Sequence, residues 1–157
     1  MNKNEIIFTP IQNKSLMAAA SLLPTSGILK KSYDAQYVYL EVDDRFIYTL
    51  CPLIEQEESV EEPDYFSIGI GAHISVIYPN EILDPVFDFD LDKIFQFKIE
   101  NFFRAESNEA VYFALTVSSP ELMRIRETNQ LGKKLNLNGF MLDMHITIGK
   151  IDKFLFR

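Results

Sequence analysis

Apolar and polar residues alternate along several stretches of this chain, the period-two signature of half-buried strands. Residues 37–42 read Tyr-Val-Tyr-Leu-Glu-Val and predict a strand. Upstream, residues 1–12 are extended or irregular, with Pro10 interrupting them. Residues 13–23 are rich in Ala and Leu and predict a short helix, stopped by Pro24-Thr25-Ser26-Gly27. Asp43 or Asp44 then caps a helix through Phe46, Ile47, Leu50 and Leu53 or Ile54, with Pro52 working against its continuation. Residues 55–64 are acidic and read as a solvated loop. Residues 65–78 form a long strand region in which Gly69 and Gly71 mark a bulge or a close backbone approach, and Pro79 closes it.

The second half repeats this plan without repeating the sequence. Residues 95–103 and 110–117 predict two strands joined by a polar turn over 105–109. Ser118 or Ser119 caps a helix opening with Pro120-Glu121. Leu122, Ile125, Leu131 and Leu135 keep helical spacing, and Asn138-Gly139 ends that element. Residues 140–150 predict another strand, and 154–156 a last edge strand. Each half thus runs from a helix into a long strand, which predicts two similar lobes.

Composition adds limits. The 157 residues suit one domain, 1–157, with a real core. A net charge of −8 argues against a broad grip on nucleic acid, which needs many Lys and Arg against phosphates. Cys51 is the sole cysteine, so the chain forms no intramolecular disulfide and no cysteine-paired zinc site. This fits a reducing, cytoplasmic location. No stretch approaches the roughly 20 apolar residues that span a bilayer, so no membrane partner is expected. The apolar run at 15–23 reads as a surface helix rather than a signal peptide.

The only two histidines open the same phrase: His73-Ile74-Ser75-Val76 and His145-Ile146-Thr147-Ile148, 72 residues apart. Strand alternation puts each histidine on one face with its hydroxyl residue, and the aliphatics behind. If the two strands face one cleft, they supply the equipment for opening a phosphodiester without metal. A neutral imidazole takes a proton from attacking water, and a protonated one supplies a proton to the departing oxygen. The Ser75 and Thr147 hydroxyls can hydrogen-bond the phosphate oxygens where charge accumulates. Asp143 precedes His145 by two residues; its carboxylate either orients that ring or is a plain surface group.

Two motifs are rejected. Asp88, Asp90 and Asp92 alternate like a calcium loop, but Lys93 stands where that loop needs glycine and Ile99 where it needs glutamate. No glycine loop of the phosphate-cradling kind is present. No cofactor or metal is expected.

The paired motifs resemble those of the 2H phosphoesterase superfamily, named for two His-aliphatic-Thr/Ser-aliphatic phrases. The resemblance covers roughly residues 37–150, and the first 35 residues are an N-terminal extension of unknown role. It implies an α+β, bilobal fold: two mainly antiparallel sheets flank a central groove, with helices outside. It implies His73 and His145 as the catalytic pair, with Ser75 and Thr147 on phosphate; Ser75 replaces the commoner Thr and keeps the hydroxyl donor. Tyr78 and Lys150, each five residues after a histidine, sit where relatives often carry a base-stacking aromatic and a phosphate-holding cation. Strict alternation would put both on the opposite face, so each needs a local bend.

The expected activity is metal-independent hydrolysis of a 2′,3′-cyclic phosphate or a 2′,5′-linked nucleotide by a monomeric enzyme whose partner is a nucleotide or short RNA. The alternatives are an enzyme acting on a signalling dinucleotide or oligoadenylate, and a binding module of the same fold without turnover.

Overall fold

A computed structural model describes residues 5–32, 36–54, 59–63, 69–85 and 90–153. The elements are β1 (Ile7–Pro10), α1 (Lys14–Ala20), β2 (Ser26–Lys31), β3 (Val38–Glu41) and α2 (Arg45–Tyr48). A 3-10 turn (Cys51–Leu53), β4 (His73–Ile77), β5 (Ile94–Gln96), β6 (Lys98–Glu106) and β7 (Ala110–Ser118) follow. The chain then forms α3 (Pro120–Thr128), β8 (Leu135–Leu137), β9 (Phe140–Leu142) and β10 (His145–Asp152). The fold is α+β and mostly antiparallel. The strand expected at 154–156 lies outside the described residues. Among those residues, no helix is long and apolar enough to cross a membrane.

Of the expected caps, Ser119 forms as read, whereas Asp44 makes no side-chain cap on α2. Asn13 accepts the Leu16 backbone N–H at 3.0 Å and starts α1. Ser119 accepts the Leu122 N–H at 3.2 Å and starts α3, with Pro120 in its first turn. α3 is shorter than the spacing predicts: it ends at Thr128, and Leu135 lies in β8. Gln130, with φ of 59°, turns the chain away from the helical path. Asn138-Gly139 does not end a helix either. With φ of 51° and 99°, these two residues form the hairpin turn between β8 and β9, a conformation that Asn-Gly favours.

The expectation of two sheets is corrected. Eight strands form one sheet in the order β1-β6-β7-β10-β4-β3-β2-β5, and β8-β9 is a separate hairpin. The motif strands β10 and β4 sit at its centre, with three strands beyond each. They meet antiparallel at one residue pair, Ile146 opposite Ile74. The physical reason is the shared core: the aliphatic faces of both strands are buried in one cluster, which draws the two strands together at this point.

That aliphatic face is the core. Ile74, Val76, Ile146 and Ile148 are fully buried together with Leu40, Phe113 and Leu115. Phe46 and Ile47 from α2 and Leu122 and Ile125 from α3 belong to the same cluster. Each such side chain contributes about 1.5–3 kcal/mol relative to exposure. The helices are exchanged between the halves: α2, which precedes β4, packs on β10, and α3, which precedes β10, packs on β4. The exchange braces both motif strands from behind.

Candidate active site

With the aliphatic residues committed to the core, the alternate positions of β4 and β10 turn to the other face. There His73, Ser75, His145 and Thr147 line one cleft of about 500 Å³. Their separation along the chain is closed by the β4–β10 contact, where the motifs run side by side.

The two imidazoles are held alike. His73 Nδ1 lies 2.8 Å from the Gly71 carbonyl, and His145 Nδ1 lies 2.7 Å from the Asp143 carbonyl. A carbonyl only accepts, so Nδ1 carries the proton in each neutral ring and Nε2 is the nitrogen that titrates. Asp143 therefore orients His145 through its backbone. Its carboxylate points elsewhere, 3.8 Å from Lys134 Nζ. Burial lowers both histidine pKa values. At His73 the Gly71 carbonyl opposes that shift and the neighbouring His145 adds to it. At His145 the Asp143 carbonyl and charge oppose it.

Gly71 is required by space. A Cβ there would stand 2.0 Å from Asp44 Oδ1, and that same oxygen accepts the Ala72 N–H at 3.0 Å. The Asp44 carboxylate fixes the backbone just ahead of His73 instead of capping α2.

Each motif strand carries a β-bulge at the same point. In β4, Ser75 faces Tyr39 and Ile77 faces Val38, so Val76 is the extra residue. In β10, Thr147 faces Ala114 and Gly149 faces Phe113, so Ile148 is the extra residue. A bulge resets the alternation, which supplies the bend that Tyr78 and Lys150 need. Tyr78 lines the cleft. Lys150 pairs with Tyr112, itself a cleft residue, but its own side chain is buried, 3.9 Å from Glu61, and is not brought into the lining.

The β4 bulge is clamped from below. Arg126 Nη1 donates to the Val76 carbonyl at 2.8 Å, and the guanidinium makes a bidentate pair with Glu81 at 2.8 and 2.9 Å. Glu81 also accepts the Tyr78 N–H at 3.0 Å and the Asn136 N–H at 2.8 Å. One buried ion pair thus fixes the bulge, Tyr78 and the β8–β9 hairpin that carries Leu137 and Leu142 over the cleft.

Several residues here were not singled out in the sequence. Tyr37 hydrogen-bonds Ser75, and the Tyr78 hydroxyl reaches the same serine. The Tyr37 and Tyr78 rings are parallel within 3° at 5.9 Å, and Tyr37 and Tyr39 stand edge-on to His73 at 6.0 and 5.7 Å. On the other wing, Phe103 packs edge-on to His145 at 6.3 Å, and Phe8 packs on Phe103 at 5.9 Å. The alternation of residues 37–42 carried a signal for the tyrosines; nothing local tied Phe8 to the site.

Two imidazoles and two hydroxyl side chains thus converge on one cleft, the equipment that proton transfer to and from a phosphate ester requires. Residues 38–156 match the family model described as 2H-SAK, Swiss Army Knife, 2H phosphoesterase domain. The chain belongs to that family, which makes it a phosphate-ester hydrolase. No curated protein and no solved structure matches it.

Proposed function

We propose that this protein hydrolyses a nucleotide phosphodiester, a 2′,3′-cyclic phosphate or a 2′,5′-linkage, in the groove between the two halves of its sheet, with His73 and His145 as acid and base. The observation that carries this reading is the matched pair of rings, each with Nδ1 tied to a carbonyl two residues back. Such a ring has its tautomer and orientation set before substrate arrives.

One imidazole, neutral, accepts a proton from water through Nε2 as the water oxygen bonds to phosphorus. The other, protonated, gives its proton to the ribose oxygen as the phosphorus–oxygen bond breaks. Each role is typically worth about 10² to 10⁴ in rate. Ser75 and Thr147 donate to the non-bridging oxygens as charge builds there, and the Tyr37 and Tyr78 hydroxyls around Ser75 extend that donor set. The mechanism uses no metal.

Among the described residues lining the cleft, the histidines are the only side chains able to carry positive charge near neutrality. That favours a compact substrate with one phosphate over a long polyanion. The test is incubation with 2′,3′-cyclic nucleotides and 2′,5′-oligoadenylates, with products identified by mass spectrometry. Hydrolysis of at least one supports the reading; binding without product would leave a nucleotide-binding module.

A further inference from the structure

The sheet register beyond β10 builds a second place for a planar group. Across β1, β6, β7 and β10, one row of facing residues runs Pro10, Phe103, Ala114, Thr147. The next runs Phe8, Ala105, Tyr112, Lys150. Large and small residues therefore alternate diagonally, and Ala105 and Ala114 form depressions framed by the rings of Phe8, Phe103 and Tyr112. All five of these side chains line the cleft. The depression at Ala114 adjoins Thr147 directly, and Phe103 also touches the His145 ring.

On the opposite wing, the parallel Tyr37 and Tyr78 rings stand beside Ser75 and His73. The phosphate position between the motifs thus has an aromatic platform on each side. Each abuts one histidine and one hydroxyl. A cyclic phosphate of a single nucleoside has one organic group and fills one platform. A linear diester has one on either side of phosphorus and fills both.

We infer that the cleft is built for a linear phosphodiester joining two nucleosides, the second base resting on Ala105 and Ala114 between Phe8, Phe103 and Tyr112. The inference rests on the paired-histidine reading and narrows it. Phe8 belongs to β1, outside the 38–156 family match, so part of this platform is particular to the N-terminal segment of this chain.

The test compares 2′,5′-linked diadenosine monophosphate with adenosine 2′,3′-cyclic phosphate on wild type, Ala105→Trp and Phe8→Ala. Ala105 is half-buried and Phe8 is half-exposed at a sheet edge, so both variants are expected to fold. The first fills the platform and the second removes one of its walls. Wild type should prefer the linear diester in kcat/KM. Each variant should lower the linear-to-cyclic ratio by about tenfold, the scale of losing one base stack.

A ratio unchanged in both variants, or a wild-type preference for the cyclic substrate, overturns the second platform and leaves the paired-histidine chemistry standing. Turnover of neither substrate by wild type defeats the chemistry instead. Calorimetric binding of the diester then decides the platform by itself: weaker binding to Ala105→Trp supports it, and equal or absent binding overturns it.

Discussion

Val76 and Ile148 hold the same station: each is the extra residue of a β-bulge that follows its motif's hydroxyl residue, Ser75 in β4 and Thr147 in β10. The aliphatic residue closing each motif is thus the point where the strand changes face. It buries its own side chain and shifts the face of the residues after it, which in β4 brings Tyr78 to the cleft. In β10 this depends on Gly149, where a Cβ would stand 2.8 Å from Val60 Cγ1 and 2.9 Å from Ile54 Cδ1. Gly149→Ala should therefore destabilise the protein by about 1–3 kcal/mol, the usual cost of overpacking. A lower urea midpoint at unchanged slope would show it, and an unchanged midpoint would mean that the neighbours yield freely.

The Arg126–Glu81 pair makes a sharper demand. Both side chains are almost fully buried, and Glu81 answers two backbone N–H groups as well as the guanidinium. Removing one partner leaves the other charge buried and uncompensated. Glu81→Ala should cost about 3–5 kcal/mol, measured by equilibrium unfolding. The guanidinium also holds the Val76 carbonyl, so the milder Glu81→Gln should raise KM through a displaced Tyr78 more than it lowers kcat. An equal effect on both parameters would argue against a positioning role.

Both histidines resist protonation in the folded protein because the cleft withdraws their rings from water, His73 being buried and His145 half-buried. The base must be neutral and the acid protonated, and both titrate below the ordinary imidazole value of about 6.5. The kcat/KM profile, which reports the free enzyme, should be bell-shaped with its centre on the acid side of that value. Stability has a definite sign as well. As pH falls through about 6.5 the unfolded chain takes up protons that the folded rings refuse, so stability drops until the lower folded-state values are passed. A double His73→Gln, His145→Gln variant should lose that part of the slope in pH-dependent unfolding.

Cys51 lies behind β10, near Gly149, and burial with the Glu62 and Glu61 charges raises its pKa to about 11. Thiolate is scarce there at neutral pH. Thiol reagents should label native protein slowly and unfolded protein fast, as followed by intact mass. Rapid native labelling would show that this packing opens readily.

Much of the site was readable because strand alternation is a local rule. His73 with Ser75, His145 with Thr147, and the aliphatic residues behind them follow from period two alone, and the Ser119 cap from its side-chain chemistry. What the sequence hid was pairing at a distance. Ile146 facing Ile74 merges two expected sheets into one, and no local pattern encodes that contact. Leu131 and Leu135 kept a helical period past the true end of α3, where the Asn-Gly hairpin imposed another geometry. Phe8 entered the site only because β1 pairs with β6, and Lys150 was drawn to Glu61 by the bridge between their backbones.

The central claim is that His73 and His145 act as one unit on one phosphorus. The most direct measurement is kcat/KM of wild type, His73→Ala, His145→Ala and the double variant on a 2′,5′-linked dinucleoside monophosphate, with product mass recorded. Each single change should lower the rate by about 10² to 10⁴. The double change should fall well short of the product of the two, because neither ring accomplishes much without the other. Wild-type turnover in either single variant would contradict the account.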